Sequence, residues 1–483
     1  MRKALLLSAL LLLTACATSS ADPADTNSSW RALTRADVEA AYRILHEDHP
    51  GASPDAHDED FLPNLERARR TSLERADRVI NYEGYTATLQ GFANAVGDRH
   101  IGSIANFRAD TRNWAGYIVA LRNGRYVIAS EDAPGEAGSV LGATIISCDR
   151  VPVDTFAREK LGEFRAVWSI EAQRMQSAPY LLIDDGNPFV LRPQNCEVEL
   201  ADSARITIPL NWRSIPRREL APKINGAMGI GEAGYGVRAF AGGMWISLED
   251  LEGGAPAVVE AVRAQRVQLR AAPLVVLDLR GNGGGNDVYG RYIAEELFGA
   301  ERVAALAGPP ADNACSLWRA SPRNEARLRE LRGEITDAPT LAVIDQALEG
   351  IASARAAGRD FVIPQQCVET PAIDAAVAPP QAARGRIVLL TDNGCFSSCL
   401  SVTRMFRTLG ALHAGQTTNA NTHYSEVRVE TLPSGLSNFF VLQAVIIDTP
   451  LHYGPFEPAL RYEGDMADTA ALEAWVARSV PRQ

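Results

Sequence analysis

Two short segments, far apart in the chain, constrain its fold more than any other feature. They are residues 275–285, VVLDLRGNGGG, and residues 388–399, VLLTDNGCFSSC. Each begins in a short apolar run, the pattern of a strand buried on both faces, and each then breaks into an unusual turn. The first turn holds Gly283, Gly284 and Gly285. Without Cβ atoms the backbone there can approach a ligand closely with its N–H groups turned outward. The second presents Ser397, Ser398 and Ser401 at the start of a predicted helix, where free amides and the positive end of the helix dipole collect. A serine and a nest of amides are the two parts an acyl-transfer site needs most. Capping is the commonest use of a serine at such a place, so the rest of the chain must supply or refuse a base.

Around these segments, strands and helices alternate. GMWISLEDL, PLVVLDL, RIVLLTD and LHAGQ read as strands; APAVVEAVRAQRVQLRA, NDVYGRYIAEELFG and SSCLSVTRMFRTLG read as helices. That order predicts an α/β domain over residues 216–483, with strand ends feeding the loops that carry chemistry. A Pro- and Ala-rich insertion over residues 307–382 interrupts it. Upstream, RADVEAAYRILHEDHP and INYEGYTATLQGFANAVGDRH repeat apolar residues at three- and four-residue steps, which predicts a helical domain over residues 33–110. Between them, GRYVIAS, ATIISC and ARITIPL are short alternating runs separated by Gly, Pro and Asp, so residues 111–215 read as β-rich. Three such units suit 483 residues, more than one ordinary core can use.

The formal charge of −11, with no basic run, excludes a nucleic-acid partner from the expectations. The first residues, MRKALLLSALLLLTAC, form a basic head and an apolar run too short to span a bilayer, and read as an export signal over residues 1–15. Leu13-Thr14-Ala15-Cys16 resembles a bacterial lipoprotein box. The resemblance implies cleavage before Cys16, lipidation of its sulfur, and attachment at the periplasmic side of the envelope. Ala17 in place of an aspartate points to the outer membrane. An ordinary secreted protein is the plainer alternative. Residues 16–32, small and polar, would then be a flexible tether. Export also favours disulfides among the remaining cysteines, and nearest neighbours would pair Cys148 with Cys196, Cys315 with Cys367, and Cys395 with Cys399. No histidine accompanies them at zinc spacing, so no metal is expected.

DLRGNGGG, followed by a strand that ends in the serine-rich helix start and then by LHAGQTT, resembles the C-terminal-processing and tricorn-core serine peptidases. The similarity spans about residues 235–465. VIASEDAPGEAGSVLGATIISCDRVPVDTFAREKL is in turn similar to a PDZ domain, which fits that family's domain order. The resemblance implies a multidomain α/β protein: an N-terminal helical domain, a PDZ-like β-rich domain, and a ClpP/crotonase-like peptidase core. It implies peptide or protein substrates and no cofactor. It places the nucleophile on Ser397 and the oxyanion hole on the amides of Ser398 and Gly284 (or Gly283).

The base departs from the processing-peptidase pattern. Lys3, Lys160 and Lys223 are the only lysines, and Asn421 stands near the place where those enzymes carry theirs. Other members use a histidine in a segment similar to GDRHIGS, which carries over onto His100; His423 is the competing base. The orienting acid would be Glu426 or Glu457. A catalytically inactive peptide-binding protein that kept the fold is the second reading. A redox site at Cys395 and Cys399 is a third, disfavoured because the spacing is not Cys-x-x-Cys.

Overall fold

The computed structural model describes residues 23–134, 138–308, 316–336, 338–362, 378–446 and 452–481. Cys16, Cys315 and Cys367 lie outside the described residues, and so does the export signal. The core is a six-stranded sheet with the order Tyr235–Phe240, Gly243–Leu248, Leu274–Asp278, Arg386–Thr391, Leu412–Gly415, Leu460–Arg461. The first pair is antiparallel and the rest are parallel. Every residue of Leu274–Asp278 is buried, Leu274 to Leu277 as their apolar run predicts. Helices Ala255–Ala264, Val288–Phe298 and Ser398–Leu409 cover one face, and Thr469–Ser479 covers the other. Leu274–Asp278 and Arg386–Thr391 pair directly, Leu277 opposite Leu389. Their following loops therefore leave the same sheet edge side by side, which brings the glycine turn against the serine turn.

The amino-terminal helices Pro23–Asp48, Phe61–Ala76 and Tyr82–Val96 do not stand apart. They pack on a second sheet built mostly from the far end of the chain. In it, Ser437–Ile446 pairs antiparallel with Gly102–Ala105, Ser316–Trp318 and Tyr424–Thr431. Leu45, Leu89 and Phe92 from the helices share one core with Phe439, Val441 and Val445 from that strand. The first helix starts at Pro23, inside the stretch read above as tether. A proline is tolerated in a helix's first turn, where its missing N–H costs nothing. The β-rich unit is a sheet in the order Tyr117–Arg122, Arg125–Glu131, Thr144–Cys148, Asn195–Glu199, Arg205–Pro209. Cys148 and Cys196 sit directly opposite in its register and form a disulfide. The unit docks on the core: Gln176 donates to the Asn393 carbonyl at 2.6 Å, and Gln173 to the Asn419 side chain at 3.2 Å.

One buried residue gives the fold a pH dependence. His49 is fully buried, stacks on Phe61 at 4.3 Å, and accepts the Gly51 N–H on Nδ1 at 3.0 Å. Burial pushes its pKa down to about 3, against the pull of Asp98. Because the folded value lies below the unfolded one, this stability is present above pH 6.5 and is lost as pH falls towards 3. The loss is about 1.4 kcal/mol per pH unit. Urea denaturation at pH 7 and pH 5 should show wild type losing roughly 2 kcal/mol more than His49→Phe, which keeps the stack but cannot take up a proton. Equal losses in the two proteins would show that His49 does not set the acid limit.

Candidate active site

The serine turn is held from below by Asp392. This fully buried carboxylate accepts the N–H groups of Gly231 (2.7 Å), Gly281 (3.1 Å) and Gly394 (2.8 Å). Burial nevertheless pushes its pKa up to about 6. Gly281 belongs to the glycine loop and Gly394 to the serine turn, so one side chain fixes both. Phe396 N–H adds a bond to the Asn282 carbonyl at 3.2 Å. A disulfide joins Cys395 to Cys399, both fully buried, with Cα atoms 5.4 Å apart. It brackets Ser397 and clamps the turn to the first turn of the following helix.

Ser397 itself has φ 55° and ψ −129°. That region is sparsely populated by residues with a Cβ and costs on the order of 1–3 kcal/mol. A strained turn between strand and helix projects a side chain clear of the backbone, as in the nucleophile elbow of α/β-hydrolases. Although Ser397 precedes the helix Ser398–Leu409, its side chain makes no capping hydrogen bond. Its Oγ lies instead 3.1 Å from Nε2 of His100.

His100 reaches this point through the second sheet. The helix Tyr82–Val96 ends at Gly97, whose φ of 94° a residue with a Cβ rarely adopts. The chain then turns through Asp98 and His100 into Gly102–Ala105, which pairs with Ser437–Ile446. The His100 ring packs on Phe396 with centroids 4.6 Å apart. Its backbone N–H is accepted by Asp98 Oδ1 at 2.8 Å. The same Oδ1 lies 3.5 Å from Nδ1.

The glycine loop touches the nucleophile. A Cβ on Gly284 would stand 2.7 Å from the Ser397 Cβ and 3.0 Å from the Ser398 nitrogen, and its φ is 113°. Only glycine fits there. The Gly284 amide, however, already donates to Asn282 Oδ1 at 3.0 Å. The amides of Gly283 and Ser398 have no acceptor among the described residues. Gly284→Ala should therefore push Ser397 aside and slow its reaction with a fluorophosphonate by about 100-fold, since a displacement near 1 Å is enough for that. An unchanged rate would mean that the loop does not position the serine.

The other predicted residues fall elsewhere. Glu426 has φ 62° at an irregularity in Tyr424–Thr431. Its edge is open to solvent, yet its carboxyl is crowded enough that desolvation, and then Asp287, raise its pKa. Glu457 is exposed, and its carbonyl oxygen lies 3.2 Å from Nδ1 of His413. Among the described residues neither glutamate has a hydrogen bond or ion pair to His100. His423 is buried, with its ring 4.3 Å from that of Tyr424. Lys160 belongs to the β-rich unit, where Nζ donates to the Ile183 carbonyl at 2.7 Å and burial pushes its pKa down to about 7. Lys223 lies over the Trp114 ring at 5.8 Å. Asn421 pairs with Tyr453 in a short ladder. The residue that the sequence reading did not single out is Asp98. Its only local signal is an aspartate two positions before the histidine.

No protein-family model matches this chain, and no curated protein matches it by sequence. Solved structures do match it. Mature CPAF complexed with lactacystin aligns over 93% of this chain and 98% of its own, with a TM-score of 0.60 and 13% identity. A serine-to-alanine mutant of CPAF covers 94% and 99%, with a TM-score of 0.55 and 11% identity. The photosystem II D1 C-terminal processing protease covers 89% and 93% at 15% identity, but its TM-score of 0.33 is too low to carry weight. The chain therefore shares the fold of CPAF over nearly its whole length.

Proposed function

We propose that this protein is a serine peptidase that hydrolyses peptide bonds through an acyl-enzyme on Ser397. The observation that supports this most is the 3.1 Å separation of Ser397 Oγ and His100 Nε2, residues 297 apart in sequence and packed together by two sheets. Nε2 takes the hydroxyl proton as Oγ bonds to the substrate's carbonyl carbon, and the carbonyl's π electrons move to its oxygen. The unclaimed N–H groups of Gly283 and Ser398 are the donors suited to that oxyanion. When the tetrahedral species collapses, the C–N bond breaks and the departing amine takes the proton from Nε2. Water then attacks the acyl-serine by the same route, giving its proton to Nε2, and Ser397 recovers a proton as the acid leaves.

The lipoprotein-like start of the chain supports a place at the periplasmic face of the envelope, tethered through Cys16, with envelope or periplasmic proteins and peptides as substrates. Among the described residues no helix is long and apolar enough to cross a membrane. The test is digestion of a fluorescein-labelled unfolded protein such as casein. Wild type should release dye and Ser397→Ala should not. Binding of the same protein without hydrolysis, across pH 5 to 9, would instead support the inactive peptide-binding reading.

A further inference from the structure

An imidazole that accepts a proton at Nε2 carries its own proton on Nδ1, and that N–H needs an acceptor once it is buried. Nδ1 of His100 is buried with no hydrogen bond. The carboxylate facing it is Asp98, with Oδ1 3.5 Å away. We propose that Asp98 is the positioning carboxylate of this site, holding His100 in the reactive tautomer and stabilising the imidazolium. This rests on the peptidase reading above and assigns to Asp98 the role that the family resemblance put on Glu426 or Glu457.

Three observations support it. Asp98 is locked in place: Oδ1 accepts the His100 N–H, Oδ2 accepts the Thr422 hydroxyl, and the Asp98 carbonyl accepts the Ile101 N–H at 3.1 Å. Aspartate and histidine therefore share one rigid turn. Asp98 is also only 5% exposed, yet among the described residues it has no lysine or arginine partner. A buried carboxylate without a cation is costly; one beside a ring that becomes positive during each turnover is not wasted. Finally, burial raises its pKa, but the His100 ring and the Thr422 hydroxyl beside it outweigh this and leave it below the usual carboxylate range. Asp98 is thus ionised at neutral pH. A contact of 3.5 Å is longer than a good hydrogen bond, as catalytic contacts often are before substrate closes them.

The titratable groups around the pair are His49 just after the helix Pro23–Asp48, and His423 and Tyr424 at the start of the strand Tyr424–Thr431 in the same sheet. Asp58 lies behind the Tyr424 hydroxyl, and Arg319 lies near His49. In the full chain, Asp98→Asn should lower kcat/KM on labelled casein by roughly 10³- to 10⁴-fold, mostly in kcat. The acid limb of its pH profile should move to lower pH, because the imidazolium loses its stabilising charge. Thr422→Val, which frees Oδ2, should cost about tenfold. Glu426→Gln and Glu457→Gln should stay within about threefold of wild type.

An independent reading is the ¹⁵N spectrum of the histidines, with His100 assigned by its loss in His100→Ala. Its titration midpoint should fall by about a unit or more in Asp98→Asn. Were the protein not a peptidase, Ser397 would go unlabelled while this shift persisted, so the two claims fail separately. Asp98→Asn within tenfold of wild type, an unmoved His100 titration, or a 10³-fold loss in either glutamate variant would overturn the assignment.

Discussion

Replacing His100 by alanine should slow phosphonylation of Ser397 by on the order of 10⁴-fold while leaving the fold in place. The size follows from the geometry. Ser397 has a strained backbone and no capping bond, so its hydroxyl is free to react, but at neutral pH it is a weak nucleophile without a base. His100 Nε2 at 3.1 Å is the base within reach. The lysines that could replace it are committed to the β-rich unit, at the Ile183 carbonyl and over Trp114. Stopped-flow or gel-based labelling measures the rate directly, and added imidazole should restore a fraction of it by entering the space beside Phe396. A loss below tenfold would mean that another group takes the proton.

The second large effect is on stability. Arg280 is 1% exposed and Asp278 is fully buried. Arg280 holds the carboxylate through Nη2 at 2.7 Å and Nε at 3.0 Å, donates to the Met466 carbonyl at 2.5 Å, and lies 3.2 Å from the Thr469 hydroxyl. The Trp245 ring N–H adds a bond to Asp278 at 3.1 Å. Removing the cation alone leaves a buried charge uncompensated, with the Asp392 carboxylate close behind. Arg280→Met should therefore destabilise the protein by about 3–5 kcal/mol, a large share of the 5–15 kcal/mol typical of a folded domain. Denaturant titration gives the number. The double variant Asp278→Asn/Arg280→Met should recover part of the loss, since it removes the stranded charge as well. A loss under 1 kcal/mol would show that water or rearrangement satisfies Asp278. The pair also carries the glycine loop, so labelling of Ser397 should slow in the same variant.

How much of this could be read in the chain depends on sequence separation. The buried strands Leu274–Asp278 and Arg386–Thr391 announce themselves as apolar runs, and the turns that follow them carry their chemistry in adjacent residues. The second sheet is not legible in that way. Gly102–Ala105 pairs with a strand more than 330 residues later, and neither shows local alternation strong enough to predict its partner. That pairing is what delivers His100 to Ser397, and only the family resemblance pointed there. The family resemblance points for the acid to two glutamates far along the chain, Glu426 and Glu457. Yet the carboxylate facing Nδ1 sits two residues from the histidine, where an aspartate reads as an ordinary turn residue. The glycine loop shows the same limit. Three glycines signal exposed amides, but Asn282 folds its own side chain back to claim that of Gly284.

In the proposed mechanism Ser397 and His100, brought together from distant segments, act as one nucleophile–base pair. The most direct measurement is the rate of fluorophosphonate attachment against pH, with the modified residue located by peptide mapping in wild type, Ser397→Ala and His100→Ala. Wild type should carry a label on Ser397 alone, at a rate that rises with pH as the base loses its proton. Ser397→Ala should carry no label, and His100→Ala should react at least about 10³-fold more slowly. A label on another residue, or a rate in His100→Ala equal to that of wild type, would rule the pairing out.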